Sequence, residues 1–435
     1  MRCLIAALLF LAFPVIEAGA EEMLAWEDCV IEAKRQHPDL AAAFEKVKQN
    51  KAAKEVTRSA VLPQVTGNAS ESTDKNADLS TSTGGTVSAG STSSRRNPSK
   101  TTYEYDLAGK QLLFDGFKTS YDLSAAERSI YSSRYNYDVV SSNIRVNLRT
   151  AFAYLLSAQE LLRVTAEIEG RRKQNFELVK LRYEGGREHR GSLLTSQADM
   201  AQATYEVNQA RRNIYLSQRR LTRQLGRSSF TPMLANGALE IKNAERIRPD
   251  FEKLSDEVPL LKQLIVQKEA AKFGVKSAYA GLYPSIYADG SIGNTNVDAF
   301  PDKNQWSIGT SLTFPFFDGG KTIASISKAK AVLGQADEDE RSGRDGVIFT
   351  LSNTWTTMQD TFENVEVQRE YLIATEERAR IARAEYSIGL MSYDNWIIIE
   401  NNLVSIKKSF VNAQTSALIA EANWIQAKGG TLDYD

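Results

Sequence analysis

The chain states its pattern twice, and this duplication limits its possible folds more than any other feature. Leu113, Phe114, Asp115 and Gly116 recur 203 residues later as Phe316, Phe317, Asp318 and Gly319. The same 203 relates Phe152 to Trp355, Tyr183 to Tyr386, Gly186 to Gly389, Ala210 to Ala413 and Gly226 to Gly429. Upstream, Pro38 and Pro259, and then Pro63 and Pro284, are 221 apart, so the first copy carries an 18-residue excess between Pro63 and Asp115. Self-similarity at a fixed offset over such a length signals a repeated structural unit.

Each copy reads helix, strand, loop, strand, long helix, turn, helix. Residues 120–183 run with scarcely a breaker, and as one helix they make a rod of roughly 95 Å. Helices of ordinary globular cores average about three turns, so this one reads as a beam spanning a gap. Residues 187–191 turn the chain, and a helix of about half that length returns to Gly226. Ala126, Ile130, Ser133, Tyr137, Val140, Ile144, Leu148 and Ala151 follow one another at three- or four-residue steps, as along a heptad seam. Gly343 and Gly346 fall inside the second long helix, each costing about 1 kcal/mol relative to Ala, and mark a candidate bend.

The strands alternate. Trp306, Ile308, Leu312 and Phe314 share one face; Ser307, Gly309, Ser311 and Thr313 share the other. Tyr103, Tyr105 and Leu107 alternate with Glu104, Asp106 and Ala108, and residues 65–70 and 286–292 repeat the pattern more weakly. Ten-residue strands with one apolar face and aromatics near the ends suit a membrane barrel. Tyr103, Trp306 and Phe314 are candidate aromatic anchors at the membrane surface, the alternative being packing between protomers. Residues 71–101 are nearly half Ser and Thr, a composition suited to an exposed loop.

The expected organisation is therefore a secretion signal at 1–20, a first repeat at 21–226 (β-hairpin 63–115, helical hairpin 118–226), and a linker at 227–255. A second repeat follows at 256–429 (β-hairpin 284–318, helical hairpin 320–429), then a tail at 430–435. The linker and tail are expected to form a belt where short helices stack end to end beside each long one. The signal is read from Arg2, an apolar run to Val15 and the small residues Ala18, Gly19 and Ala20. Beyond it no apolar stretch reaches the 18 or so residues of a transmembrane helix. Cys3 leaves with the signal, and Cys29 then stands alone as a helix-packing residue.

Four strands cannot close a membrane barrel, and open sheet edges are not tolerated in lipid. The chain must therefore oligomerise, and a polar strand face turned inward makes a wet interior. Geometry alone sets no copy number, though twelve strands from three chains make a sensible barrel.

At this point the sequence resembles the TolC family of outer-membrane efflux and secretion channels. The carriers are the duplicated Pro63 and Pro284 before a strand, the corners at Asp115–Gly116 and Asp318–Gly319, and the paired turns at residues 182–186 and 385–389. The resemblance covers essentially the whole mature chain. It implies a mainly α fold with a membrane β-barrel part: four strands per chain closing a 12-stranded barrel in a homotrimer above a long α-helical tunnel. It also implies a bacterial outer-membrane location with a periplasmic helical extension, a passive conduit for tripartite efflux or type I secretion, and two partners. These are a periplasmic adaptor (membrane fusion) protein and an inner-membrane RND or ABC transporter.

In that family the helix–turn–helix tips form the constricted periplasmic entrance and meet the adaptor. Carried over by position, the tip residues here are Tyr183, Gly186, Ser192, Tyr386, Gly389 and Asn395. The family often places an Asp six residues beyond the turn glycine; here Ser192 and Asn395 stand there. Asp394, Asp199 and Glu400 are the nearby carboxylates and the candidate entrance gate, the alternative being solvated helix charges.

Function classes are narrowed further by what the sequence lacks. Net charge is −1, so there is no basic field for nucleic acid. His37 and His189 sit in no metal spacing, and no Walker loop, GxSxG elbow or Cys–His arrangement appears. Asp115 and Asp318 precede glycines at corners and read as helix initiators. No enzyme, metal or cofactor is expected. The competing reading from another class is a periplasmic coiled-coil adaptor or scaffold without a pore.

Overall fold

In this computed structural model, residues 22–74, 100–239, 247–297 and 303–434 are described. The expected signal at 1–20, the body of the first loop (75–99), part of the second loop (298–302) and residues 240–246 of the linker lie outside them.

The first half of the chain runs β1 (Glu22–Leu24), α1 (Trp26–Gln36), α2 (Pro38–Ser59), β2 (Gln64–Asp74), β3 (Lys100–Phe114), α3 (Lys118–Glu184) and α4 (Arg190–Leu225). The second runs β4 (Met233–Ala235), α5 (Phe251–Ser255), α6 (Pro259–Ala280), β5 (Ser285–Asn296), β6 (Lys303–Thr313), α7 (Lys321–Ile388) and α8 (Tyr393–Ala427). α3 and α7 are 67 and 68 residues long. The chain divides into two compact units, both of which these helices traverse. One holds residues up to Phe44, Asn136–Leu261 and from Arg344 onward; the other holds Glu45–Tyr135 and Lys262–Gly343.

The second unit is built on an antiparallel sheet in the order β2-β3-β5-β6. Where the sheet ends, the corner chemistry is the same in both repeats. Asp115 Oδ2 accepts from the Thr119 backbone N–H at 2.8 Å and its hydroxyl at 2.5 Å, and Asp318 Oδ2 accepts from Thr322 at the same two distances. Each carboxylate satisfies orphan donors of the following first turn. Gly116 has φ +67°, and a Cβ there would lie 2.6 Å from Tyr283 Cβ, so only glycine makes this corner. Ion pairs join the helices below the sheet: Lys268 reaches Asp337 (2.8 Å) and Glu340 (2.9 Å), and Arg128 reaches Glu269 (3.3 Å).

Gly343 has a packing explanation. A Cβ there would come 2.2 Å from Leu264 Cδ1, so its lack of a side chain lets α6 approach α7. Gly346 meets nothing within 4 Å. α7 is continuous through both positions.

The first unit buries several apolar clusters along its helices. One gathers Cys29 and Ala33 of α1 with Leu148, Phe152 and Leu155 of α3, Leu221 of α4 and Met233 of β4. Another gathers Trp355 of α7 with Trp424 of α8 and Phe251 of α5. Phe152 and Trp355, repeat equivalents in sequence, are both buried. Two features of this unit escape the alternation and spacing arguments. β1 and β4 pair in parallel, and at three residues each they are too short to show a period. Arg227 anchors the same region, bonded to Glu22 at 2.7 Å and Glu32 at 2.5 Å.

Candidate functional site

Two regions carry the chemistry: the sheet of the second unit and the helix turns of the first.

Strand register fixes the two faces of the sheet. Trp306 pairs with Ile292, which lies beside Leu107, which lies beside Gly67; two residues along, Ile308, Gly290, Gly109 and Val65 form the next row. Because side chains alternate, Trp306, Ile292, Leu107, Ile308 and Val65 share one face. All are solvent-exposed in the protomer, Ile308 at 82% and Trp306 at 76%. The rows between them are polar. Asn68 donates to Asp106 (3.1 Å), Gln305 donates to Glu104 (3.0 Å), Ser291 and Ser307 are 2.9 Å apart, and Lys110 sits over the Tyr287 ring.

The sheet is thus apolar on one face and hydrogen-bonded on the other, and among the described residues β2 and β6 each have one edge with no partner strand. Tyr103 donates its hydroxyl to Glu71 (3.3 Å) near the loop end, as Trp306 is. Phe314 lies at the helix end with its ring 4.7 Å from Phe316. Trp306 and Phe314 are eight residues apart, about 27 Å along an extended strand.

The two tips are built alike. α3 ends with Gly186 at φ +68° and a bond from Arg187 N to Arg182 O, and α7 ends with Gly389 at φ +86° and a bond from Leu390 N to Glu385 O. Both are left-handed caps with the 6→1 bond that glycine permits. The returning helices start on side-chain caps: His189 Nδ1 accepts from Ser192 N (3.2 Å), and Ser392 Oγ accepts from Asn395 N (3.4 Å). Ser192 and Asn395 therefore occupy matching capped positions, while Tyr183 is exposed on the last turn of α3.

Side chains lock the two tips together. The Tyr386 hydroxyl donates to Glu188 Oε2 (2.9 Å), and Arg182 Nη1 donates to the Tyr386 carbonyl (2.6 Å) with its guanidinium over the Tyr386 ring. Ser192 Oγ donates to the other Glu188 oxygen at 2.9 Å. Beneath these bonds Tyr386, Tyr393 and Trp396 pack with Val179 of α3. Burial, reinforced by the bond to Glu188, raises the Tyr386 hydroxyl well above its usual range, and burial with the nearby Asp199 carboxylate pushes Tyr393 up to about 12. Glu188, Arg182 and Trp396 were not singled out from sequence. Glu188 and Arg182 meet Tyr386 from 198 and 204 residues away, and only the repeat offset could have hinted at that pairing; Trp396 stacks on Tyr386 ten residues before it.

The three candidate gate carboxylates occupy different surroundings. Asp394 is exposed in the first turn of α8. Asp199 is partly buried, 3.9 Å from Arg172, which in turn donates to Asn401. Glu400 is buried at 2% exposure; Arg171 (3.1 Å) and Asn175 (3.3 Å) donate to it. Among the described residues, no group of three or more His, Cys, Asp or Glu is placed to hold a metal.

The family described as Outer membrane efflux protein matches residues 30–227 and 252–430, one stretch per repeat. The outer membrane efflux protein BepC of Brucella suis biovar 1 (strain 1330) is 22% identical over 379 residues, covering 86% of this chain and 78% of BepC. TolC of Escherichia coli (strain K12) is 21% identical over 426 residues, covering 92% and 80%. Among solved structures, CusC superposes with a TM-score of 0.81 at 16% identity, covering 93% of this chain and 92% of CusC. The open state of the Neisseria gonorrhoeae MtrE outer membrane channel gives 0.79 at 18%, covering 94% and 90%. Two matched stretches, a four-stranded sheet with opposed faces and paired glycine-capped tips agree: the chain belongs to the outer membrane efflux protein family.

Proposed function

We propose that three copies of this chain form a passive outer-membrane channel, in which the four-stranded sheets join into one twelve-stranded barrel and the helices continue into the periplasm. The observation that carries the reading is the sheet itself. Its exposed apolar face needs lipid, its polar face needs water, and its two open edges need neighbouring strands. A periplasmic scaffold has no use for such a sheet.

The tips then form the periplasmic entrance and the surface offered to an adaptor protein, with Tyr183, Gly186, Ser192, Tyr386, Gly389 and Asn395 at the turns. Asp394, the exposed carboxylate, presents charge there, while Asp199 and Glu400 answer to Arg172 and Arg171 and set how the tip helices are held. Tyr103, Trp306 and Phe314 mark the membrane boundaries. Energy comes from an inner-membrane transporter of the RND or ABC class. Relatives named for toluene, antibiotic and cation efflux share this scaffold, so the transporter selects the cargo.

The test is electrical and electrophoretic. Protein purified from outer membranes should run as a heat-modifiable trimer and conduct ions across a planar bilayer. Soluble monomers without conductance would end this reading.

A further inference from the structure

The exposed face of α4 has a charge pattern found on no other helix among the described residues. Residues 207–239 contain six arginines and no carboxylate. Arg227 is held by Glu22 and Glu32. Arg212, Arg219 and Arg223 are exposed, and among the described residues none has a carboxylate within 4.0 Å; Arg219 donates to the Tyr215 hydroxyl (2.8 Å) and lies over the Phe230 ring (4.2 Å), which leave its charge unpaired. Arginines on the other long helices behave differently: Arg163, Arg341, Arg369 and Arg380 each pair with a glutamate three residues before them. An uncompensated row of like charges on a helix is unfavourable, so this row points to an anionic surface outside the protomer.

The complementary surface lies on α7. Asp360, Glu363 and Glu370 are exposed and lack a cation within 4.0 Å among the described residues. Spacing and height both match. Arg212, Leu216, Arg219 and Arg223 are spaced four, three, four; Asp360, Glu363, Val367 and Glu370 are spaced three, four, three. Each is the seam of a helix made to lie beside another. Leu216 (60% exposed) and Val367 (49%) provide apolar contacts within the rows.

The tips of α3–α4 and α7–α8 are bonded together, so residues equally far from them lie at one level. Arg212 is 22 residues into α4 and Glu366 is 22 residues before the end of α7, each about 33 Å along its helix. By the same measure Arg219 and Asp360 lie within one residue of the same level. The inward side of α4 is already taken by α8, through Lys408 and Glu206 at 2.6 Å, and α7 is tied to α8 through Lys407 and Glu376 at 3.1 Å. Among the described residues, neither row meets an opposite charge within one chain.

We infer that the arginine row of α4 docks on the carboxylate row of α7 in a second copy of this chain, forming a charged seam between neighbouring protomers. The inference rests on the trimeric reading above and adds the surfaces, the register and the sign of the interaction. A seam of this kind weakens with salt, because exposed charges are screened over about 10 Å at 0.1 M.

The test uses the full-length protein in detergent. With Arg219→Cys and Asp360→Cys combined, oxidation should give a covalent trimer on denaturing gels, and neither single variant should. R212E with R219E should shift the native species from trimer toward monomer, and adding D360R with E363R should restore it. A trimer whose double-cysteine variant forms no cross-link, and which is unmoved by R212E/R219E, overturns this seam while leaving the channel reading intact. A wild-type monomer in native mass measurement overturns the trimeric reading itself.

Discussion

The ring of Tyr386 stacks on that of Trp396, with centroids 4.2 Å apart and planes 12° from parallel. The stack places the Tyr386 hydroxyl against Glu188 of the other hairpin, so a residue of one repeat is held by the turn of the other. If the entrance opens by separating the hairpins, this bond must break. Glu188→Gln leaves only a neutral acceptor where the charge-assisted bond, worth about 1.5–3 kcal/mol, had been, and Tyr386→Phe removes the donor altogether. Both variants should raise single-channel conductance or open time in planar bilayers without changing trimer yield. Unchanged conductance in both would show that the tips open without parting this pair.

Asp394 is an exposed acid at the same end. Neutralising it in D394N should reduce preference for cations, read as a shift in reversal potential across a salt gradient. An unaltered reversal potential would remove it from the entrance.

Glu400 gives a stability prediction. Arg171→Ala leaves a carboxylate of 2% exposure with only Asn175 as partner. Breaking a buried pair from one side costs about 3 kcal/mol, and the thermal midpoint should fall accordingly. Glu400→Gln, which keeps a neutral acceptor for Asn175, should cost less.

Acid sensitivity follows from Glu167. Its hydrogen bond to Lys407 outweighs burial and holds its carboxyl below the usual range. A depressed carboxyl contributes stability above its unfolded value, near pH 4.5, and loses it as pH falls through the folded value. The group is partly exposed, so the effect is a few tenths of a kcal/mol. E167Q should lower stability slightly at pH 7 and leave it unchanged at pH 2 to 3, measured by denaturant titration.

The two glycines of α7 should respond differently. Gly346→Ala meets no neighbour and should stabilise by up to about 1 kcal/mol through helix propensity. Gly343→Ala must displace Leu264 and should gain less or lose stability. Cys29 is a further probe. It is 0% exposed, and burial pushes its thiol to about 12, so maleimide should label it only in denaturant.

Much of this architecture was legible in the sequence because it rests on local rules applied twice. Asp115 and Asp318 read as helix initiators and hold matching threonines; Gly186 and Gly389 read as turns and take left-handed conformations. The strand faces followed from alternation of single residues such as Trp306 and Ser307. What sequence did not disclose depends on contacts between distant segments. Glu400 looks like any helix carboxylate until Arg171 and Asn175 close around it, and Glu188 looks like a turn acid until Tyr386 arrives from the second repeat. Gly343 read as a possible bend because Leu264, its reason for being small, sits 79 positions earlier.

The uncovered flanks of β2 and β6 also bear on biogenesis. A lone protomer entering the bilayer would carry a row of unmet amide and carbonyl groups on each flank, at several kcal/mol apiece. Insertion and assembly are therefore a single event. Its rate should climb steeply with the concentration of newly exported chains, and cells expressing the protein weakly should accumulate it in the periplasm, outside the lipid.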